Sequence, residues 1–540
     1  PHKWPSGTTR ICPISAAIPK APVINFPFIT NPPPRPVPIV NSARFSSPLP
    51  APNLNSPHAA QFASFSKTTL APILVSSCEK KRTELDFEKS VMTEIFPSLV
   101  DSICVDCRIL FLPMPLGKSI YDKNDNFILE SEYSVAGRFI GTRKIDDNLF
   151  LVTNIYLPLE NEDIVIDDYL PYYQTNGVTV TTEYESIVYI EGTAPNSYTS
   201  FYSLDLDHNQ VDMEVILGDN GYNLYVSEEN IYLAGSIYYF SPMADVFDLG
   251  DPVSETKTAI LKVEINGATL EYVNMGVVDG YTLNQFSMDE YEGNLRVATT
   301  SSGWGTDINN RLFILDENLV ELSSIENLGK EGERIQSVRF VGDYGYVVTF
   351  LQTDPFYVVN MVNPELPFVE GELSIPGFSS YLQPLNNNYM LGIGFGDNSG
   401  GTNGLKIAVY DISNKTEPVV FSQVIFDYEE FGWGYSTATY NHKDLLVSMA
   451  KGIIALPFST YNYSETTGNN YNSGILVYNF DEVSGLSYNG YVQHDQDTNE
   501  EVYVYKSKFI ADYFYTISNK YIKVSPILNT EDTIKSIVLN

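Results

Sequence analysis

The chain has 540 residues and a formal net charge of −35, from 67 acidic and 32 basic residues. Phosphate recognition needs a basic footprint, so nucleic acid is excluded as a partner and anionic lipid is a poor one. A chain of this length buries enough surface to hold a core without disulfides or metals, and no run of about eighteen apolar residues offers a membrane span.

Residues 1–78 contain no Asp or Glu and six Lys or Arg, and the first sixty residues hold 15 of the 32 prolines. Such Pro/Ser-rich, non-periodic sequence buries too little to offset its ordering entropy, and reads as disordered. No charged n-region followed by an apolar h-region marks a signal peptide. Cys104 and Cys107 form a lone CxxC with neither a second ligand pair nor a βαβ context, so they read as incidental. Near residue 118 the pattern changes abruptly, and 119 opens what looks like the middle of a repeat. The expectation is a disordered extension over 1–118, foreign or out of frame, ahead of a folded domain over 119–540.

Within that domain a turn of Asp, Asn or Gly type recurs, each followed by an apolar strand. The turns end at Asn148, Asn230, Asn294, Tyr344, Asn388, Asp444 and Tyr513, at intervals of 82, 64, 50, 44, 56 and 69 residues. Asx and Gly residues tolerate the left-handed backbone of tight hairpins. The most compact copy, 331–377, holds four β-type runs with turns too short for a crossover helix. One small sheet cannot bury both faces, so it needs neighbours. The sequence therefore predicts an all-β protein, a β-propeller of four-stranded antiparallel blades, about seven to eight in number. Seven units read as complete, and an orphan pair of strands occupies 119–135. Within 405–410 the alternation around Lys406 predicts a half-buried strand.

Two insertions grow from this scaffold. Residues 154–186 carry Asp167 and Asp168 beside Tyr172 and Tyr173, and 240–256 add three more aspartates. Each reads either as a binding loop or as a solvated acidic lid. Trp304 and Trp433 are each flanked by glycines, Gly-Trp-Gly, which let a large ring stand exposed to stack on a sugar or clasp a peptide; the alternative is packing between blades. The six ligand-binding candidates are thus Trp304, Trp433, Asp167, Asp168, Tyr172 and Tyr173.

Catalytic motifs are missing. Histidine occurs only at 2, 58, 208, 442 and 494, with no HExxH, and there is no GxSxG, P-loop or dinucleotide fingerprint. His442 with Asp444, and His494 with Asp495, read as turn chemistry. Residues 394–404 (GFGDNSGGTNG) read as a flexible hairpin. The calcium-like start at Asp205 lacks the central Gly and the closing Glu. No cofactor is implied; Ca²⁺ held by acids of several blades is the alternative.

Four stretches go beyond generic patterning: SVAGRF at 134–139 with the following IGTRK, YTLNQFSMDE at 281–290, GNLRVAT at 293–299, and 331 through PGFSSYL at 376–382. Together they resemble the secreted prokaryotic β-propeller family, archaeal and bacterial, distantly related to WD40 repeats. The resemblance covers about 119–540 and implies an extracellular or cell-surface location, with no established catalytic residues. The expected function is a non-catalytic binding or scaffold module for a protein or glycan. The alternative is a propeller-type enzyme, a glycan-active or calcium-dependent hydrolase using carboxylates from several blades.

Overall fold

The computed structural model describes residues 116–539 apart from 122–128, 160–164, 191–192, 194, 206–209, 219–220, 238–255, 302–307, 352–353, 398, 400, 428–432, 465–467 and 497–500. The insertion at 240–256, Trp304 and the four cysteines therefore lie outside the described residues, Thr256 excepted. No α-helix occurs among the described residues; the strands form eight sheets, here called I to VIII in chain order.

Sheets III to VI and VIII are each four consecutive antiparallel strands. Sheet V is the compact copy, with strands Arg334–Val341, Tyr344–Phe350, Asp354–Asn360 and Phe368–Ile375. These match the four sequence-predicted runs to within a few residues. Positive φ values at Asp146 (48°), Glu292 (51°), Gly342 (53°) and Ala511 (51°) sit in the turns that join first and second strands, as hairpin twist requires.

The orphan pair is not orphaned. Strands Leu116–Tyr121 and Leu129–Val135 are joined by Tyr172–Thr175 and Val178–Thr181, which come from the insertion at 154–186 and complete sheet I. The hairpin turns on Asn176 (φ 48°) and Gly177 (φ 84°), an Asn-Gly type I′ signal flanked by β-formers. The chain starts sheet II with Arg138–Ile145 and Asn148–Tyr156, returns to finish sheet I, then resumes sheet II at Ser197–Asp205 and Gln210–Gly218. Sheet II also gains Ile187–Tyr189, parallel to Gln210–Gly218.

Sheet VII departs from its predicted unit. The turn 442–444 does not lead into a second strand; it is a 3₁₀ turn ahead of Leu446–Ser448. That short strand and Trp433–Tyr435 both pair with Ile453–Ser464, so the first strand of the sheet is split. Residues 436–445 leave the sheet between the two halves, and the hairpin turn lies at 449–452.

Adjacent sheets pack face to face. Tyr133 and Val135 of sheet I meet Leu149 and Tyr202 of sheet II; Tyr232 and Ile260 of sheet III meet Leu295 and Phe313 of sheet IV; Phe356 of sheet V stacks on Tyr410 of sheet VI at 4.9 Å. This overturns the half-buried reading of 405–410. All six residues of that stretch are buried, and Lys406 is 0% exposed with its Nζ donating to Pro376 O at 3.0 Å. A period-two pattern presumes one wet face, whereas a strand between two neighbouring sheets has none.

Gly377 joins sheet V to sheet VI at φ +74°, where an added Cβ would stand 2.2 Å from Phe395 O. Gly377→Ala is expected to cost at least about 2 kcal/mol, the left-handed penalty of a side-chain-bearing residue plus backbone displacement. A lowered urea midpoint checks this, and an unchanged one refutes it.

Candidate functional site

Five first strands or their leading turns converge on one cavity of about 310 Å³. Sheet II contributes Phe139 to Arg143, sheet III Tyr222 to Leu224, sheet IV Asn284 to Phe286, sheet VI Ser380 and Tyr381, and the excursion of sheet VII contributes Ala438 to Lys443. No carboxylate is among these lining residues.

Local capping explains how the turns hold their shape. Asn284 Oδ1 accepts from Phe286 N at 2.9 Å and Ser287 Oγ accepts from Asn284 N at 3.4 Å, a reciprocal capping box on the turn Gln285–Ser287. Ser436 Oγ accepts from Ala438 N at 3.2 Å, and Asn441 Oδ1 accepts from Lys443 N at 3.3 Å. Asp444 accepts from Asn441 Nδ2 at 3.0 Å and lies 4.0 Å from Lys506 Nζ, which ties the excursion to sheet VIII.

A polar chain crosses the cavity. Arg143 Nη2 donates to Gln285 Oε1 at 2.6 Å, and Gln285 Nε2 lies 3.2 Å from His442 Nε2. Because Gln285 Oε1 is already an acceptor, its amide nitrogen donates to His442, which leaves the ring proton on Nδ1. Phe286 meets the His442 ring edge-on at 4.9 Å, and Tyr381 stacks on it at 6.1 Å. Arg339 of sheet V lies over Phe286 at 3.9 Å and over Tyr381 at 5.3 Å, its Nε donating to Leu382 O at 2.9 Å. Burial first, then the positive charges of Lys443, Arg339, Arg143 and Lys506, push the His442 pKa down to about 4. The ring is therefore neutral at pH 7 and the cavity is electropositive in a strongly acidic protein.

Beside the cavity lies an aromatic face. Trp433 is in register with Tyr461, and Tyr461 with Tyr471, across three strands of sheet VII. Residues directly opposite share a face, as does Tyr435 two positions along. Trp433 is 64% exposed, and Tyr435 and Tyr461 are also open. Tyr471 Oη donates to Ser459 Oγ at 3.2 Å and lies 3.4 Å from Tyr435 Oη. The strand Trp433–Tyr435 runs directly into the excursion that gives Ala438, Thr439 and the 77% exposed Tyr440 to the cavity. Aromatic face and cavity are thus neighbours.

None of the other described sequence candidates is among the residues that line this cavity. Asp167 and Asp168 are exposed in the 3₁₀ turn Ile166–Tyr169, where Asp167 accepts from Tyr184 Oη and raises the Tyr184 pKa to about 12. Tyr172 and Tyr173 are half-buried in the packing between sheets I and II. Arg143, Gln285, Phe286 and Tyr381 were not candidates, although all lie within the stretches 134–144, 281–290 and 376–382 that carry the family resemblance. At 394–404, Asp397 accepts from Ser399 N, Ser399 Oγ, Gly401 N, Asn403 N and Asn403 Nδ2, which holds its pKa at about 2. Its acceptor positions are occupied by the loop's own donors. Among the described residues no group of three or more His, Cys, Asp or Glu is placed to hold a metal ion.

A sequence model described as a beta propeller domain matches residues 79–530. The chain belongs to the beta propeller domain family. This propeller is 42% identical over 207 residues to an uncharacterized protein of Archaeoglobus fulgidus, covering 38% of this chain and 30% of that one. It is 40% identical over 201 residues to an uncharacterized protein of Methanocaldococcus jannaschii, covering 34% and 31% respectively. The propeller chain thus matches less than a third of the length of these curated relatives. Among solved structures it is similar to the periplasmic gluconolactonase of Pseudomonas aeruginosa, at TM-score 0.32 and 10% identity over 65% of this chain and 95% of that one. It is also similar to the Pan2 WD40 domain of Neurospora crassa, at TM-score 0.29 and 11% identity over 59% and 78%. Likeness at this level carries no argument about activity.

Proposed function

We propose that this propeller is a non-catalytic binding module that takes a glycan on the aromatic face of sheet VII, with one end of the ligand in the adjoining cavity. The observation that carries this reading is the row Trp433–Tyr461–Tyr471 in register, with Tyr435 on the same face. Flat, rigid rings present apolar surface to the C–H faces of sugars at little entropic cost, and phenol hydroxyls at their edges hydrogen-bond. The cavity adds the neutral amides of Asn223, Asn284 and Gln285, a donor and acceptor set suited to sugar hydroxyls. An exported or surface location, implied by the family resemblance, accords with such a ligand.

Glycoside hydrolysis by the usual route needs two carboxyl groups flanking the bond, about 5–9.5 Å apart. The described cavity walls offer none, which favours binding over turnover.

Trp433→Ala and Tyr461→Ala are each expected to lower retention on a glycan array by roughly tenfold, from a stacking loss of about 1–2 kcal/mol. Neither ring is in the buried core, so the melting temperature stays within a few degrees. Retention unaffected in both variants, or reproducible release of reducing ends from a bound glycan, would overturn the reading.

A further inference from the structure

Arg143 points beyond a neutral sugar. In a chain where acids outnumber bases 67 to 32, this cavity arginine pairs with no described carboxylate. Its Nη1 donates to Thr142 O at 2.7 Å and its Nη2 to Gln285 Oε1 at 2.6 Å, and no other acceptor faces it among the described residues. Arg339, beneath the cavity, spends its hydrogen bonds on the backbone oxygen of Leu382. Lys443 is exposed at the rim and makes no salt bridge among the described residues. Every charge acting on His442 in this cavity is positive. Among the described residues, Asp444 is already engaged by Asn441 and Lys506, and Asp289, which acts on Arg339, is paired with Arg296.

Partly desolvated cations without counter-ions are unfavourable on their own, and an anion arriving with the ligand removes that deficit. We propose that the ligand is an acidic sugar chain whose carboxylate pairs with the Arg143 guanidinium, with Lys443 alongside at the rim. This deepens, and rests on, the glycan reading of the aromatic face. A planar carboxylate matches the planar guanidinium fork. Gln285 holds Arg143 in place by a neutral hydrogen bond, so orientation is secured without cancelling the charge. The net charge of −35 disfavours a polyanion, because the field of the remaining surface opposes its approach beyond the Debye length of about 8 Å. A chain with one terminal or isolated carboxylate fits better.

The test is an array of acidic oligosaccharides, each paired with its carboxyl-reduced, neutral counterpart, probed with the intact chain at pH 7 in physiological salt. Reduction of the carboxyl is expected to weaken retention by on the order of tenfold to a hundredfold, as loss of a charge-assisted pair implies. Arg143→Gln is expected to abolish the difference between the members of a pair, and Lys443→Gln, on the exposed rim, to narrow it. Trp433→Ala should weaken acidic and neutral members alike. If paired members bind equally, or if Arg143→Gln and Lys443→Gln both fold and keep the full acidic preference, the carboxylate assignment fails while the glycan reading stands. If no member of any pair is retained, both fail together.

Discussion

Acidification from pH 6.5 to 4 is expected to remove on the order of 4–5 kcal/mol of folding stability, more from fully buried His494 than from half-buried His442, on a scale of 1.36 kcal/mol per unit discounted for solvent screening at His442. Both pKa values are pushed from 6.5 down to about 4, by burial first. His494 is 0% exposed, its Nε2 is 2.8 Å from Thr516 Oγ1, and its Nδ1 has no hydrogen-bond partner. Lys523 opposes its protonation and Asp495 favours it, the lysine effect being the larger. Between pH 4 and 6.5 the unfolded imidazoles carry protons that the folded ones lack, so stability rises with pH in that window and is fully present above 6.5. For His442, protonation also turns Nε2 from acceptor to donor and breaks its contact with Gln285. Asp444, raised by burial, works in the opposite sense, while Asp397, held at about 2, loses its contribution only at lower pH. Against a total of about 5–15 kcal/mol, the loss brings the protein close to acid unfolding. Urea midpoints measured from pH 4 to 7 should fall steeply toward acid. The slope should flatten in the double variant His442→Gln, His494→Gln, whatever its absolute stability, and an equal slope in both proteins would refute the assignment. On the alkaline side, burial pushes the fully buried Tyr202 up to about 12; its unfolded form ionises first, so stability declines again between about pH 10 and 12.

Arg296→Ala is expected to cost roughly 3 kcal/mol, the scale of breaking a buried charge pair from one side. Arg296 is 3% exposed and bridges sheets IV and V. It pairs with Asp289, donates to Gly342 O at 2.6 Å, and lies over Tyr291 at 4.7 Å and Phe340 at 5.1 Å. Truncation leaves Asp289 without its partner, a turn carbonyl without a donor, and a void between two aromatic rings. The double variant Arg296→Met, Asp289→Asn should recover part of the loss, because no unpaired charge remains and the Met side chain fills the gap. Urea denaturation of the three proteins checks both statements. A double variant no more stable than Arg296→Ala would show that ring packing, rather than charge, holds this interface.

The all-β repeat was legible because its signals are local. Sheet V was readable strand by strand, since period-two apolar runs and Asx or Gly turns report backbone conformation within a few residues. For Trp433 the flanking glycines leave exposure and packing between blades both open, and the ring stands 64% exposed. The completion of sheet I is present in the sequence as the Asn176-Gly177 hairpin, although the acidic residues around it are equally those of a solvated loop. The strand pairing that uses it joins 133–135 to 173–175, a partnership no local pattern specifies.

The cavity belonged to tertiary structure. Arg143, Gln285 and His442 are separated by 142 and 157 residues along the chain, and they meet because the first strand of every sheet concerned runs to the same place. His442 arrived there through a split strand that its own turn residues gave no reason to expect. Even Lys406, whose alternation suggested water on one side, is enclosed by a neighbouring sheet. By itself the sequence determined the all-β class, most of the hairpins, the acidity and the strands of the compact unit, because these depend on neighbours a few residues away. Only the assembled sheets decided which cations share one cavity and which carboxylates stay outside it, because convergence depends on inter-sheet packing that residues distant in sequence settle together.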